Sequence, residues 1–342
     1  MEEKILLGTY TKRESKGIYQ VILDTDKKTL SDVSFVQAEG SPTYLGTSSD
    51  DFLYAVSKDD TAGGMAAYKK LADGSYELIN KVMAEGAPPC YVGIDNQRQL
   101  VYDANYHKGS LHVYKKNQDG SLTLVDTVQH SGNGPHENQA GPRAHYADLT
   151  PDKRLVACDL GTDGVYVYDV SDEGKLTEVS VFQTAPGTGP RHIVFHPSGN
   201  TAYIIGELNN TVTSVAYNQD TGAFSYLQTI SILPEGFTEF SGAGAIRISQ
   251  DGKFVYASNR GHNSIAVIAL DDSDEKMSVV QIISSEGDFP RDFALNSTDE
   301  LVVVAHQESD NLTLFERDDS TGKLTLLQKD VFAPEGVCTY FL

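Results

Sequence analysis

Apolar and polar positions along this chain repeat at intervals of 46 to 54 residues. Two clear copies are GPRAHYADLTPDKRLVACDLGTDGVYVYDV from Gly141 and GPRHIVFHPSGNTAYIIGELNNTVTSVAY from Gly189. Each copy has a start of small residues and proline, an alternating strand, a polar turn, an apolar second strand, a short loop and a third strand. A fixed period of this size is typical of repeat architectures, in which every repeat is one supersecondary unit.

A tight turn and a fourth strand follow the third strand in most copies. The turns read NQDGSL, SDEGKL, NQDTGAF and DDSTGKL, and three of the four contain an Asp-Gly or Thr-Gly pair, which is a turn signal. Four short strands with apolar alternation are typical of one blade of a β-propeller. The six full repeats begin near Ser41, Ala87, Gly141, Gly189, Ala243 and Phe289.

The two ends of the chain supply a seventh repeat. Residues 4–39 resemble the second, third and fourth strands of a blade, and GVCTYFL from Gly336 resembles a first strand. Pairing the C-terminal strand into the N-terminal blade would close the ring and remove an open sheet edge. The sequence therefore predicts an all-β, seven-bladed β-propeller with four antiparallel strands per blade, formed as a single domain over residues 1–342.

Composition places the chain among soluble globular proteins, with 39% hydrophobic and 22% charged residues. No run approaches the roughly 20 apolar residues of a membrane span, and the start MEEKILLGTY lacks the pattern of a signal peptide. Cys90, Cys158 and Cys338 are odd in number and widely spaced, which fits small buried side chains in a reducing compartment. We therefore expect a cytoplasmic protein.

The formal net charge of −21 narrows the range of partners. Nucleic acids and anionic membranes both require a basic face, so neither is expected to bind. An anionic small molecule would have to be captured by local arginines.

Unusual polar residues occur where a propeller brings its blades together. The first strand of each blade is expected to line the central channel, and the loops between second and third strands face one rim. Polar candidates at these positions are His145, Arg191, His192, Glu207, Arg260, His262, Arg291 and His306. His136 and Gln139 lie in the long insertion SGNGPHENQAG before the repeat that begins at Gly141. Each residue alone could equally form a bond between blades or belong to a solvated loop.

The joint pattern is more informative than any single residue. We expect four neighbouring blades to place His145, Arg191, Glu207 and Arg260 at equivalent rim positions. A histidine or glutamate that accepts a proton beside two guanidinium groups suits attack of water on an ester carbonyl. Arginine also binds carboxylate or phosphate through two parallel hydrogen bonds. The pattern leaves open whether His145 or Glu207 is the base.

Other catalytic motifs are absent from the sequence. There is no GxSxG, no P-loop, no HExxH and no CxxCH, and the histidines lack the paired spacing of a zinc site. We therefore predict an activity without metal or cofactor.

The motifs now described resemble those of the seven-bladed propeller lactonases. This family includes bacterial propeller-type 6-phosphogluconolactonase and fungal carboxy-muconate lactonising enzyme. The resemblance covers essentially the whole chain and rests on GTYT with GIY, the insertion ending in Gln139 and followed by His145, GPRH, GELNNTV and SNRGHNSI. One departure is visible, because Arg143 and Asn138 stand where many members carry a histidine and an arginine.

The resemblance implies a cofactor-free hydrolase of a small-molecule lactone, with its site at one mouth of the channel. His145, Arg191, Glu207 and Arg260 match positions proposed as catalytic or substrate-binding in the family. Further candidates for substrate binding are Gln139, His192, His262, His306 and Arg291. The implied reaction is hydrolysis of 6-phosphogluconolactone to 6-phosphogluconate in the pentose phosphate pathway.

Two alternatives remain open at this point. One is a different lactonase or a lactonising enzyme that acts on a dicarboxylate, because arginines accept carboxylate as well as phosphate. The other is a propeller without catalytic activity that serves as a platform for protein interactions, since a fold does not dictate function. A platform should expose a large apolar patch and leave the channel mouth chemically inert.

Overall fold

The repeated strand pattern folds into seven antiparallel sheets, called here blades 1 to 7. The computed structural model describes all 342 residues, which form 29 β-strands and one short 3₁₀ turn, Glu137–Gln139. Six blades have four strands each, in sequence order across the sheet. In blade 1 two short strands, β3 and β4, share the outer position beside β2.

The strand bounds follow the period read from the sequence. Blade 1 consists of β1 (Glu2–Thr9), β2 (Gly17–Asp24), β3 (Thr29–Leu30), β4 (Ser34–Ala38) and β29 (Gly336–Phe341). Blades 2 and 3 consist of β5 (Leu45–Thr47), β6 (Phe52–Lys58), β7 (Ala62–Lys70), β8 (Tyr76–Glu85), β9 (Tyr91–Asp95), β10 (Leu100–Asn105), β11 (Ser110–Lys116) and β12 (Leu122–Gln129). Blades 4 and 5 consist of β13 (Ala144–Leu149), β14 (Leu155–Asp159), β15 (Gly164–Val170), β16 (Leu176–Gln183), β17 (Pro190–Phe195), β18 (Thr201–Gly206), β19 (Thr211–Asn218) and β20 (Ala223–Ser231). Blades 6 and 7 consist of β21 (Gly242–Ile248), β22 (Phe254–Arg260), β23 (Ser264–Leu270), β24 (Met277–Ser284), β25 (Pro290–Leu295), β26 (Leu301–His306), β27 (Asn311–Arg317) and β28 (Leu324–Phe332).

The C-terminal strand closes the ring, as the sequence predicted. β29 pairs antiparallel with β1, with Ile5 opposite Phe341 and Leu7 opposite Thr339. β29 thus becomes the inner strand of blade 1, and the inner strands of successive blades touch in an unbroken circle around the central channel. The ring closure and the count of seven blades are both confirmed.

Burial explains why the strands of one blade differ in sequence. Every residue of β10 and β18 is buried, because both faces of these second strands are covered by the neighbouring blades. Such strands show continuous apolar runs. In the outer strand β12, LTLVDTVQ, only Leu122 is buried, and polar residues alternate with apolar ones over much of its length.

The apolar core is divided into seven clusters, one between each pair of neighbouring blades. Between blades 5 and 6, for example, Tyr203 and Ile205 pack with Val255 and Ile268. Because the blades are held by these face-to-face contacts, the rim loops stand on a rigid base. The fold contains no helix with the length and apolar character needed to cross a membrane.

Candidate active site

A β-bulge interrupts the inner strands of blades 4, 5 and 7 at the same level of the channel. The strand register slips by one residue at His145 in β13, at Arg191 in β17 and at Arg291 in β25. A bulged residue leaves the hydrogen-bond ladder, so its side chain can turn in a new direction. All three side chains line one narrow pocket of about 10 Å³ in the channel. The bulges therefore bring together one imidazole and two guanidinium groups.

A glycine fixes the start of β17. Gly189 has a φ of 61°, in the left-handed region that glycine adopts without strain. A Cβ atom at this position would lie 2.5 Å from Cγ of Leu208. The carbonyl of Gly189 accepts the backbone N–H of Glu207 at 2.9 Å. This turn therefore sets the bulge at Arg191 beside the residue that follows β18.

A cavity of about 590 Å³ opens above the bulged residues, at the end of the channel called here the upper mouth. Its walls come from the loops between second and third strands of blades 1, 2, 3, 5 and 6, from the segments that lead into β5 and β9, and from the bulged residues His145 and Arg291. Arg191 lines the narrow pocket but not this cavity. The lining includes Tyr10, Lys12, Lys58, Cys90, Tyr106, His107, His145, Glu207, Arg260 and Arg291. The upper mouth is thus a polar cleft of a size suited to a small molecule.

Glu207 lies between two arginines on one side of this cavity. Its Oε2 atom is 2.9 Å from Nε of Arg191 and 2.8 Å from Nη2 of Arg260. The Nε–H of Arg191 has no hydrogen-bond acceptor, so its contact with the carboxylate oxygen is an ion pair without a hydrogen bond. The guanidinium groups also donate to backbone carbonyls, Arg191 to Gly244 at 2.8 Å and Arg260 to Gly242 at 3.0 Å. Both guanidiniums are therefore fixed before any ligand arrives.

Positive charge exceeds negative charge around this carboxylate. Arg191 and Arg260 are buried and share Glu207 as their one ionic partner, while half-buried Arg291 bonds only to the neutral Oε1 of Gln307 at 3.2 Å. Burial and the nearby charges of Arg260 and Arg291 hold the pKa of Arg191 well below its ordinary value. Uncompensated charge at a buried site is costly. The arrangement therefore favours an anionic ligand.

His145 is a neutral imidazole in this positive environment. Burial, followed by the charges of Arg191, Arg291 and Arg260, lowers the pKa of His145 well below its ordinary value. Its Nδ1 atom is buried and has no hydrogen-bond partner. At neutral pH this imidazole can accept a proton.

Glu207 is ionised in the same environment. Burial raises the pKa of Glu207, but the charges of Arg260, Arg191 and Arg291 lower it by more, so the net shift is downward. The carboxylate is held by two ion pairs and is a weaker base than a free carboxylate. Of the two candidate bases, His145 has the available lone pair.

Comparison with known proteins identifies the family of this chain. The family described as "Lactonase, 7-bladed beta-propeller" matches residues 4–341. The chain belongs to this lactonase family.

Relatives of this chain match it over nearly its whole length. A protein of Bacillus subtilis (strain 168) named 6-phosphogluconolactonase is 44% identical over 340 residues, which cover 98% of this chain and 97% of the relative. The crystal structure of a protein from Lactobacillus plantarum superposes with a TM-score of 0.98 at 52% identity and covers 100% of both chains. The structure of the periplasmic gluconolactonase PpgL of Pseudomonas aeruginosa gives a TM-score of 0.93 at 31% identity and covers 100% of this chain and 99% of that one.

The sequence prediction of equivalent positions on four blades is wrong. Arg191 and Glu207 both belong to blade 5, at the bulge of β17 and directly after β18. The catalytic candidates therefore come from blades 4, 5 and 6 and occupy two kinds of position. They meet because a bulge on an inner strand and the end of a second strand lie at the same height in the channel.

His192 lies deeper in the channel than the other candidates. Its ring packs against Tyr91, Tyr146 and His145, at centroid distances of 5.5, 5.4 and 5.2 Å. This aromatic group separates the upper cavity from the opposite opening of the channel, which Tyr91 also lines. His192 lines the narrow pocket but not the cavity, so its role in substrate binding stays a prediction.

Three further candidates lie outside the cavity lining. Gln139 donates through Nε2 to the carbonyl of Leu160 at 2.8 Å and accepts the N–H of His136, which stabilises the insertion. His262 contacts Ser264 through Nδ1, and buried His306 donates to the carbonyl of Asn311. The Nε2 atom of His306 is buried and has no hydrogen-bond partner. Substrate contact by these three side chains stays a prediction.

Sequence reasoning missed several residues of the upper mouth. Tyr10 and Lys12 follow β1 in blade 1, and Tyr106 and His107 follow β10 in blade 3. These loops correspond to the loop of blade 5 that carries Glu207. Their position after a second strand was a usable signal, since it had already singled out Glu207 and Arg260. The bulges could not be predicted in this way, because the pattern of apolar and polar residues in the strands does not reveal them.

Proposed function

We propose that this chain hydrolyses a sugar lactone, and that the substrate is 6-phosphogluconolactone with 6-phosphogluconate as product. One observation carries the proposal: two guanidinium groups hold a single carboxylate, and a third guanidinium and a neutral imidazole lie nearby, at the base of a cavity of small-molecule size. The name of the Bacillus subtilis relative supports the choice of substrate. The proposed chemistry uses side chains only.

His145 acts as the general base in this mechanism. Its neutral imidazole takes a proton from a water molecule as the water oxygen attacks the lactone carbonyl. Attack converts the carbonyl carbon into a tetrahedral intermediate with a negative oxygen. The imidazole becomes positively charged in this step, and the bound anionic substrate offsets the repulsion from the arginines.

Arg191 and Arg260 stabilise the developing oxyanion. Both are held by backbone carbonyls and by Glu207, so little reorganisation accompanies the reaction. Two guanidiniums and one carboxylate leave one positive charge, which matches one oxyanion. Glu207 in this reading is a positioning residue that orients both arginines.

Ring opening completes the reaction. The tetrahedral intermediate collapses, the bond between the carbonyl carbon and the ring oxygen breaks, and His145 returns its proton to that oxygen. The product is an open-chain hydroxy acid, which loses its carboxyl proton to solvent at neutral pH. One lactone and one water thus give one carboxylate and one proton.

Proton release from freshly prepared lactone, corrected for spontaneous hydrolysis, tests this proposal. We expect the wild-type chain to accelerate hydrolysis and His145→Gln to lower kcat about 100-fold or more. His196→Gln is the matched control, because His196 lies in a turn of blade 5 outside the cavity and bonds to Ser198 and Gly252. Full activity in His145→Gln would refute the assignment of the base. Failure of the wild-type chain to accelerate the hydrolysis of any sugar lactone would refute the proposed function.

A further inference from the structure

Tyr10 lies beside two cations of the upper cavity. The Nζ atom of Lys12 is 4.0 Å from the centroid of the Tyr10 ring, and the Cζ atom of Arg291 is 5.5 Å from the same centroid. All three residues line the cavity. Neither cation has a carboxylate oxygen within 4.0 Å, whereas Arg191 and Arg260 share Glu207. Lys12 and Arg291 therefore add positive charge that no carboxylate contacts, next to the proposed oxyanion site.

The loop that carries Tyr10 and Lys12 is held firmly in place. The carboxylate of buried Glu335 accepts the backbone N–H groups of Lys12, Arg13 and Ser15 at 2.9, 2.9 and 3.1 Å. The Arg13 side chain also pairs with Asp310 at 2.7 Å. Because these bonds tie the loop to blade 7, Lys12 is held at the cavity wall that carries Arg291.

Charge differs between the two walls of the mouth. On the wall of blade 2, Lys58 is followed by Asp59 and Asp60, and all three line the cavity. This wall therefore has no excess of positive charge. Lys12 and Arg291 together supply two positive charges without a counter-ion, which matches a phosphate monoester dianion at neutral pH.

We propose that Lys12 and Arg291, held beside Tyr10, form a subsite for the phosphate group of a phosphorylated sugar lactone, separate from the Arg191, Glu207 and Arg260 group that binds the lactone carbonyl. This assignment rests on the proposed function and specifies its substrate class. It makes Lys12 and Arg291 the residues that distinguish a phosphorylated lactone from its unphosphorylated counterpart. Tyr10 serves as a flat support that keeps both cations in reach of one phosphate.

The ratio of kcat/KM for 6-phosphogluconolactone to kcat/KM for gluconolactone tests the subsite. We expect Lys12→Ala to lower this ratio about tenfold and Arg291→Met to lower it further, because each loses a charge-assisted hydrogen bond to phosphate. Arg291→Lys keeps the positive charge and should give a ratio between those of Arg291→Met and the wild-type chain. Lys16→Ala is the matched control, since Lys16 is exposed on the same loop but does not line the cavity. A wild-type ratio in Lys12→Ala and Arg291→Met would overturn the subsite.

Titration with inorganic phosphate tests the same subsite without catalysis. We expect the Kd for phosphate, measured by calorimetry, to rise about tenfold in Lys12→Ala and to keep its wild-type value in Lys16→Ala. If the wild-type chain hydrolyses neither lactone but shows this pattern, the proposed function fails and the anion subsite stands. Equal phosphate affinity in wild type, Lys12→Ala and Arg291→Met would overturn the subsite whatever the activity.

Discussion

Replacing Glu207 by glutamine should destabilise the free protein and make its stability depend on anions. The change keeps the shape of the side chain but removes the one negative charge shared by Arg191 and Arg260. The side chains of these arginines are only 3% and 7% exposed, so solvent cannot compensate for the loss. Their mutual repulsion then acts without a counter-charge.

The expected cost follows from the degree of burial. Removing one partner of a buried ion pair typically costs about 3 to 5 kcal/mol. Because the side chain of Glu207 is 18% exposed, we expect the lower end, about 3 kcal/mol of unfolding free energy. In Glu207→Gln, but not in Glu239→Gln, a phosphate ion can take the place of the lost carboxylate between Arg191 and Arg260. At 100 times the Kd of this added site, phosphate stabilises the folded variant by about 2.7 kcal/mol. Saturating phosphate should therefore offset most of the loss.

Urea unfolding in dilute buffer, with and without phosphate, provides the measurement. Tyrosine fluorescence can report unfolding, because the chain has 18 tyrosines and no tryptophan. Glu239→Gln is the matched control, since it makes the same charge change at an exposed position of the loop between β20 and β21. Equal unfolding free energies of Glu207→Gln and Glu239→Gln without phosphate would refute the reasoning. An unchanged difference between the two unfolding free energies on addition of phosphate would refute it as well.

Three further predictions concern pH, the polar core and metals. As the pH is lowered, kcat/KM should fall only at the lowered pKa of His145 in the free protein. The fall in kcat should come at a higher pH, because the bound anion offsets the charge of the arginines and raises the pKa of this imidazole. If kcat and kcat/KM fall at the same acid pH, this prediction is contradicted. Asp159→Asn should lower the unfolding free energy by about 2 kcal/mol, since Asp159 accepts three backbone N–H groups and contacts His130 at 2.7 Å. Thermal unfolding of this variant and of the exposed control Asp26→Asn measures the loss, and equal midpoints for the two variants would contradict the prediction. Dialysis against EDTA should leave the hydrolysis rate unchanged, and a loss that divalent cations restore would show that the site uses a metal.

The architecture could be predicted from the sequence because it depends on periodic burial. Second strands such as LVVVAH are covered on both faces and therefore read as continuous apolar runs. Asp-Gly or Thr-Gly turns mark the start of four outer strands, β8, β12, β20 and β28. The C-terminal GVCTYFL was identifiable as the missing inner strand because blade 1 had an unpaired edge.

The site was only partly predictable, because its geometry depends on bulges. The bulges at His145, Arg191 and Arg291 change the direction of side chains without altering the apolar pattern. Sequence position alone therefore treated Arg191 and Glu207 as equivalent residues of different blades. The exposed loop residue Lys12 had no distinguishing neighbour in the sequence, since its relation to Arg291 arises only from ring closure.

Ring closure also sets the order in which the molecule can mature during synthesis. β1 is translated early, but its partner β29 follows more than 300 residues later, a delay on the order of tens of seconds at ribosomal speed. During this time the inner edge of β1, with its run of Ile5, Leu6 and Leu7, has no neighbouring strand and could pair with other nascent chains. Glu335, which anchors the loop bearing Lys12, is made directly before β29. The nascent chain therefore acquires a protected edge and a fixed anion-binding loop together, at the final stage of translation.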